Sequence, residues 1–395
     1  MQRKSRFFGV SLAGVLISLA GAMHAAEASH YRILYAFTGG ADGAHPRAGL
    51  IRNTNGDFYG TALSGGDAGF GTVFELSRRG EQTTLYSFLD QEDGANPHAS
   101  VISDEAGNLY GTAFFGGLVN SFGGTVFKLG NTGQEMTLHE FSGGTDGGNP
   151  AAPLIRDADG NLYGTTVEGG SGCYPSAGCG VAFLLDSAGR EHVLHTFAGG
   201  RDGQAPIGGL VRDRKGTLYG TTFNGGAGRS CDSGCGVVFR IASDGKEKVL
   251  YAFRGGSDGA NPYAGLIRDD DGNLYGTTSA GGSSGNGTVF KASRNGSEVV
   301  LHSFTGSDGA TPYGGVIRDK LGNLYGTTNA GGDFGLGTIF ELAPDGTETV
   351  LHSFAGGDDG ASPYAGLIMG RRGHLYGTTF AGGPSDAGVV FKLKP

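Results

Sequence analysis

Along this chain, apolar and polar positions alternate in runs of four to eight residues, and Gly, Asp, Asn and Ser bound each run. Residues 262–304 show the unit. Pro262 to Asp269 is an extended segment, A. The turn Asp270-Asp-Gly-Asn273 leads into Leu274-Tyr-Gly-Thr-Thr278, strand B. A Gly-rich loop from Ser279 to Asn286 precedes Gly287-Thr-Val-Phe-Lys-Ala292, strand C. The turn Arg294-Asn-Gly296 leads into Ser297-Glu-Val-Val-Leu-His-Ser-Phe304, strand D. Period-two alternation, β-branched and aromatic residues, and turn residues at both ends predict four short strands. Simple alternation puts Val300, His302 and Phe304 on one face of strand D and Leu301 and Ser303 on the other. A 3.6-residue apolar period is missing throughout residues 29–395, so essentially no helix is expected there.

The unit recurs seven times. Its marker, Tyr-Gly-Thr, begins at Tyr59, Tyr110, Tyr163, Tyr219, Tyr275, Tyr325 and Tyr376, with spacings of 51, 53, 56, 56, 50 and 51 residues. A repeat of this length with four strands is the signature of a β-propeller blade. The array opens with His30-Tyr-Arg-Ile-Leu-Tyr-Ala-Phe37, a strand D with no A, B or C before it. It closes with Val389-Val-Phe-Lys-Leu393, a strand C with no D after it. The first D fits the last A, B and C, which predicts an all-β, closed, seven-bladed propeller over residues 29–395 whose last blade is completed by the N-terminal strand. Phe37, Phe88, Phe141, Phe197, Phe253, Phe304 and Phe354 should form one aromatic layer. Phe74, Phe127, Phe183, Phe239, Phe290, Phe340 and Phe391 should form another.

Composition adds compartment and charge. Arg3, Lys4 and Arg6 precede the apolar run Phe7 to Ala22 and then Ala26-Glu27-Ala28. That is the order of a secretory signal peptide, residues 1–28, with cleavage near Ala28. The run is short for a membrane span, and no second run of spanning length follows. Cleavage takes three basic residues and one acidic one, so the formal charge moves from −9 to −11. An acidic surface argues against nucleic acid and anionic lipid as partners. The cysteines Cys173, Cys179, Cys231 and Cys235 lie in one kind of loop in neighbouring copies. In an exported chain they read as disulfides. Local pairing, Cys173–Cys179 and Cys231–Cys235, is the simplest scheme, and pairing across the two copies is the alternative.

The strings Asp-Gly-Asn-Leu-Tyr-Gly-Thr-Thr (271–278), Gly-Thr-Val-Phe (287–290) and Val-Leu-His-Ser-Phe (300–304) give the chain a family likeness. Over residues 31–394 it resembles the choice-of-anchor GloVer-containing proteins, named from cyanobacterial and verrucomicrobial examples. The blade order is also similar, more weakly, to NHL-type propellers. The resemblance implies secretion or surface display and brings no shared catalytic activity. Members often carry a variable C-terminal anchor. Because the sequence ends at Leu393-Lys394-Pro395, release is the expectation here.

Candidate sites lie on the loop face that the D-to-A and B-to-C connections share. Asp42, Asp93, Asp146, Asp202, Asp258, Asp308 and Asp359 of the Asp-Gly-x-x-Pro loops are a ring of carboxylates that could hold Ca²⁺. Their recurrence in every copy favours a turn-capping role instead, so no cofactor is expected to be required. The position after the loop proline varies: Arg47, His98, Ala151, Ile207, Tyr263, Tyr313 and Tyr364. Tyr263, Tyr313, Tyr364, Arg47 and His98 would form an aromatic and basic arc at the channel mouth, suited to sugars or peptides. His139, His195, His302 and His352 alternate with Tyr35, Tyr86 and Tyr251 at one register of strand D, which points to packing and hydrogen bonding. Gly281-Gly-Ser-Ser-Gly285 matches G-x-S-x-G but lies between two strands, where a nucleophile elbow is not built. The expectation is a secreted binding module for extracellular glycan or protein. A propeller lyase or hydrolase using His98, Tyr364 and Arg47 is the first alternative, and a structural matrix protein the second.

Overall fold

A computed structural model describes residues 30–90, 92–118, 122–171, 173, 178–226, 228 and 230–395. The signal-peptide reading of residues 1–28 lies outside the described residues, as do parts of the cysteine loops. The described chain forms seven four-stranded antiparallel sheets arranged as the blades of a closed ring. In the reference blade, A is Ile267–Arg268, B Leu274–Thr278, C Thr288–Ala292 and D Glu298–Ser303. Of the eight residues of segment A, Pro262 to Asp269, two pair with strand B. Among the described residues helix is limited to two 3-10 turns, Gly357–Asp359 and Arg371–Gly373.

The ring closes as the truncated copies require. The opening strand, His30–Ala36, pairs antiparallel with Val389–Lys394, with His30 opposite Lys394 and Ala36 opposite Val389. It supplies strand D of blade 7, so both ends of the repeat array lie in one sheet and the outer edge of Val389–Lys394 is paired.

The two phenylalanine layers meet as pairs. Each strand D phenylalanine packs edge-to-face on the strand C phenylalanine of the next blade, with ring centroids 5.0–5.5 Å apart at all seven junctions. Phe37–Phe74 makes the junction from blade 7 to blade 1. All these rings are buried, each contributing roughly 1.5–3 kcal/mol by leaving water, with some further gain from the edge-to-face geometry. Glycine is required beside them. Gly220 pairs across the sheet with Phe239, and a Cβ at Gly220 would lie 2.6 Å from that ring.

Strand D departs from simple alternation. Val289 lies opposite His302, and Phe290 opposite Val300, so Leu301 is an extra residue. This bulge turns Val300 to the Phe290 side and His302 to the Val289 side, which corrects the expectation that both share a face. The same shift occurs in every blade. The extra residue is always leucine: Leu34, Leu85, Leu138, Leu194, Leu250, Leu301 or Leu351. Each packs against the apolar core.

Candidate functional site

The loops that carry the site are set by two local devices. In every Asp-Gly-x-x-Pro loop the residue before proline is left-handed, with φ between 52° and 57° at His45, Asn96, Asn149, Ala205, Asn261, Thr311 and Ser362. Its N–H donates to a carbonyl of the preceding blade, as from Asn261 to Cys235 and from Thr311 to Asn286. The threonine of Tyr-Gly-Thr then holds the residue two places after the proline. Thr61, Thr112, Thr221, Thr277, Thr327 and Thr378 donate to the carbonyls of Ala99, Ala152, Ala264, Gly314, Ala365 and Ala48 of the next blade, at 2.8–3.4 Å. The position between proline and that anchor is thereby aimed at the central channel. Below it the inner segments nearly touch, and a Cβ at Gly265 would lie 2.8 Å from the Gly209 carbonyl oxygen.

The variable position lines a cavity of about 320 Å³ at the channel mouth. Tyr263, Tyr313, Tyr364, Arg47 and His98 all face it, with Ala151 and Ile207 completing the circuit. Tyr313 and Tyr364 stack, with centroids 5.1 Å apart and planes 10° from parallel, and Tyr263 leans on Tyr313 at 4.7 Å. Arg47 does not simply follow the tyrosines around the rim. Its side chain reaches from blade 1 to the Tyr263 hydroxyl of blade 5, donating to it. The guanidinium carbon lies 5.1 Å from the Tyr364 ring centre and 5.8 Å from that of Tyr263. Both distances are in the range of cation–π attraction. On its other side Arg47 donates to Nδ1 of His98 at 3.4 Å.

Electrostatics at the mouth follow from these contacts. Burial, reinforced by the Arg47 charge, pushes the His98 imidazole down to about 3, so it is neutral at ordinary pH. The Phe114 ring stacks on it at 4.1 Å. Sequence reasoning missed Phe114, although phenylalanine stands at the same register in two other copies, as Phe223 and Phe380. Burial, and then Tyr364 and Tyr263, raise the Tyr313 phenol above its ordinary value. Among the described residues no Asp or Glu lines the cavity.

The loop aspartates lie elsewhere, at the outer seams. Each accepts the backbone N–H of the residue that opens its own turn, at 2.7–3.0 Å. Each also faces the Tyr or His of its own strand D: Tyr35–Asp42 at 2.8 Å, Tyr251–Asp258 at 2.7 Å and His302–Asp308 at 2.9 Å are examples. The seven carboxylates are thus spread one per blade. Among the described residues one group of three has metal-ligand spacing, His302, Asp308 and Glu348, within 4.8 Å of one another. Glu348 belongs to a set that sequence reasoning also missed. Glu135, Glu191, Glu247, Glu298 and Glu348 open strand D of five blades beside the preceding blade's loop aspartate. Burial, and then those aspartates, push all five carboxyls up to about 7, with a Thr137 hydrogen bond opposing the shift at Glu135. Their recurrence at one register was the available signal.

The disulfides are local. Cys173 bonds Cys179 and Cys231 bonds Cys235, and no cysteine is free.

The Gloeobacter/Verrucomicrobia repeat matches residues 2–232 and 227–395. No curated protein matches the chain. Among solved structures, the extracellular domain of the one-component system BT4673 from B. thetaiotaomicron is similar at 11% identity with a TM-score of 0.59. The alignment covers 92% of this chain and 40% of that one, so this chain spans about two-fifths of its length. A Bacteroides uniformis protein named as a 6-phosphogluconolactonase is similar at 18% identity with a TM-score of 0.53, covering 87% of this chain and 91% of that one. At these identities the likeness is one of fold.

Proposed function

We propose that the chain, which belongs to the Gloeobacter/Verrucomicrobia repeat family, is an exported binding propeller that takes extracellular glycan at its channel mouth. One observation carries the reading. On a scaffold of similar blades, three successive blades place tyrosine at the inward position that varies most, and the three rings form a continuous aromatic wall. Flat tyrosine faces with a hydroxyl at one end suit the mixed apolar and polar surface of a sugar ring. Short disulfide loops fit an oxidising compartment.

Turnover has less behind it. A lyase base at this mouth would be His98, but that imidazole is pushed down to about 3 and lies flat against Phe114. So weak a base abstracts a sugar proton poorly at neutral pH.

The test is incubation of purified protein with a polysaccharide panel, measuring retention, new reducing ends and unsaturated product. Retention without product, lost when Tyr263, Tyr313 and Tyr364 are replaced by Ala, is the expected result. Product formation would assign an enzyme. Self-association with no retention would assign a structural role.

A further inference from the structure

We infer that the ligand at this mouth is a carboxylate-bearing sugar, a uronic acid residue of an extracellular polysaccharide, and that Arg47 reads its charge. The inference rests on the proposed binding role of the mouth and adds the class of glycan.

The first support is the isolation of the charge. The chain carries 38 acidic residues against 29 Lys and Arg. Even so, among the described residues its central cavity is lined by one arginine and by no carboxylate. None of the ion pairs among the described residues involves Arg47. Its two hydrogen-bond partners, the Tyr263 hydroxyl and the His98 ring nitrogen, are neutral, so its full charge persists in a concave, partly dry site. A cation so placed focuses field lines on anions. His98 stays uncharged beside it, so the mouth presents a single positive charge, matched to a single carboxylate.

The second support is geometry. Two of the five guanidinium N–H donors are taken by those neutral partners, and the remaining donors have no protein acceptor among the described residues. A planar guanidinium pairs with a planar carboxylate through two parallel hydrogen bonds, a match that a neutral hydroxyl does not offer. Contacts with the Tyr364 and Tyr263 rings hold the guanidinium in place before any ligand arrives. The stacked Tyr313 and Tyr364 supply the apolar wall for the sugar's C–H face. The cavity, about 320 Å³, is at the lower end of the range for ligand pockets. It suits one charged ring, with the rest of the polymer running over the rim.

The experiment is calorimetric titration of the purified protein with three probes: an oligouronate, the same oligomer after chemical reduction of its carboxyl groups, and a sulfated neutral oligosaccharide. The oligouronate should bind, and carboxyl reduction should weaken binding at least tenfold. Arg47→Gln should weaken oligouronate binding at least tenfold and weaken binding of the reduced oligomer by a clearly smaller factor. Arg47→Lys, which keeps the charge and loses the fork, should fall between. Thermal unfolding checks that each variant is folded, and Arg47→Lys decides the matter if Arg47→Gln is not. Equal binding of the reduced oligomer, an unaffected Arg47→Gln, or preference for the sulfated probe would overturn the inference. The mouth itself would survive those results provided Tyr313→Ala weakens whatever binding remains. If no probe shows binding that Tyr313→Ala weakens, the mouth falls as well.

Discussion

The Tyr31 ring lies flat on the His352 imidazole, with centroids 3.9 Å apart and planes 6° from parallel. Its hydroxyl donates to the Asp359 carbonyl at 2.6 Å, across 328 residues of chain. Tyr31 stands four places before Tyr35, as Glu298 stands four before His302. The closing blade therefore puts an aromatic ring where five other blades put a glutamate. Tyr31→Ala removes the stack, the hydrogen bond and the contact with Phe391. We expect a loss of about 3 kcal/mol, the scale of truncating a large packed aromatic, measured as a shift of the urea unfolding midpoint. A loss under a third of that would mean that backbone pairing alone holds the ring shut.

The glutamate seams make stability depend on pH. The Glu298 carboxyl is pushed from its ordinary 4.5 up to about 7, chiefly by burial and then by Asp258. Because the folded value lies above the unfolded one, its contribution is complete below about pH 4.5 and is lost as pH rises through about 7. His139, His195 and His352, lowered by burial, act in the opposite sense, losing stability as pH falls through their unfolded value near 6.5. A single substitution isolates the glutamate term. Gln82 already fills this register in blade 1 and donates to the Asp42 carbonyl. Glu298→Gln should match the parent's melting temperature at pH 4.5 and exceed it at pH 8. An equal difference at both values would exclude the titration of Glu298 as the cause.

Left-handed positions differ in how well their residues suit them. Asn96, Asn149 and Asn261 tolerate φ near 55° and also bond a neighbouring carbonyl through Nδ2, at 2.9, 3.1 and 3.0 Å. Thr311 holds φ at 53° with a β-branched side chain, an arrangement that costs on the order of 1 kcal/mol or more. Thr311→Asn should stabilise the protein by about 1 kcal/mol, through relief of strain and one added hydrogen bond. Chemical denaturation reads the effect, and a destabilised variant would count against this account of the loop.

Close packing makes the Tyr-Gly-Thr glycine intolerant. A methyl group at Gly220 would be forced against Phe239. Gly220→Ala should cost about 1–3 kcal/mol, as overpacking of a dense core does. Gly200, whose added Cβ would meet nothing within 4 Å, is the control. Gly200→Ala should stay within about 0.5 kcal/mol of the parent. Similar losses in the two variants would exclude the ring contact as the reason for the glycine.

Architecture was largely legible because it is written in local, repeated terms. Period-two alternation, turn residues and the Tyr-Gly-Thr spacing define a blade, and an opening strand D without its copy together with a last copy short of D defines the closure. The strand D bulge was not legible. Val-Leu-His reads as simple alternation, and only pairing with strand C shows that leucine is the extra residue. The variable tyrosines could be picked out against the repeat. The roles of Phe114 and of the five strand-opening glutamates could not, since these residues act through contacts made with other loops and blades, and recurrence at one register does not reveal a partner.

By itself, then, the amino-acid order determined the blade, the number of blades and which strand completes the ring. Those follow from hydrogen-bonding periodicity and from the need to leave no edge unpaired. Tertiary structure alone decided that Arg47 reaches Tyr263 in a blade four copies later in the chain, that His98 is neutral, and that glutamate and aspartate meet at the seams. Those depend on the curvature of the ring and on which side chains share a low-dielectric space, quantities that arise only when seven blades pack together.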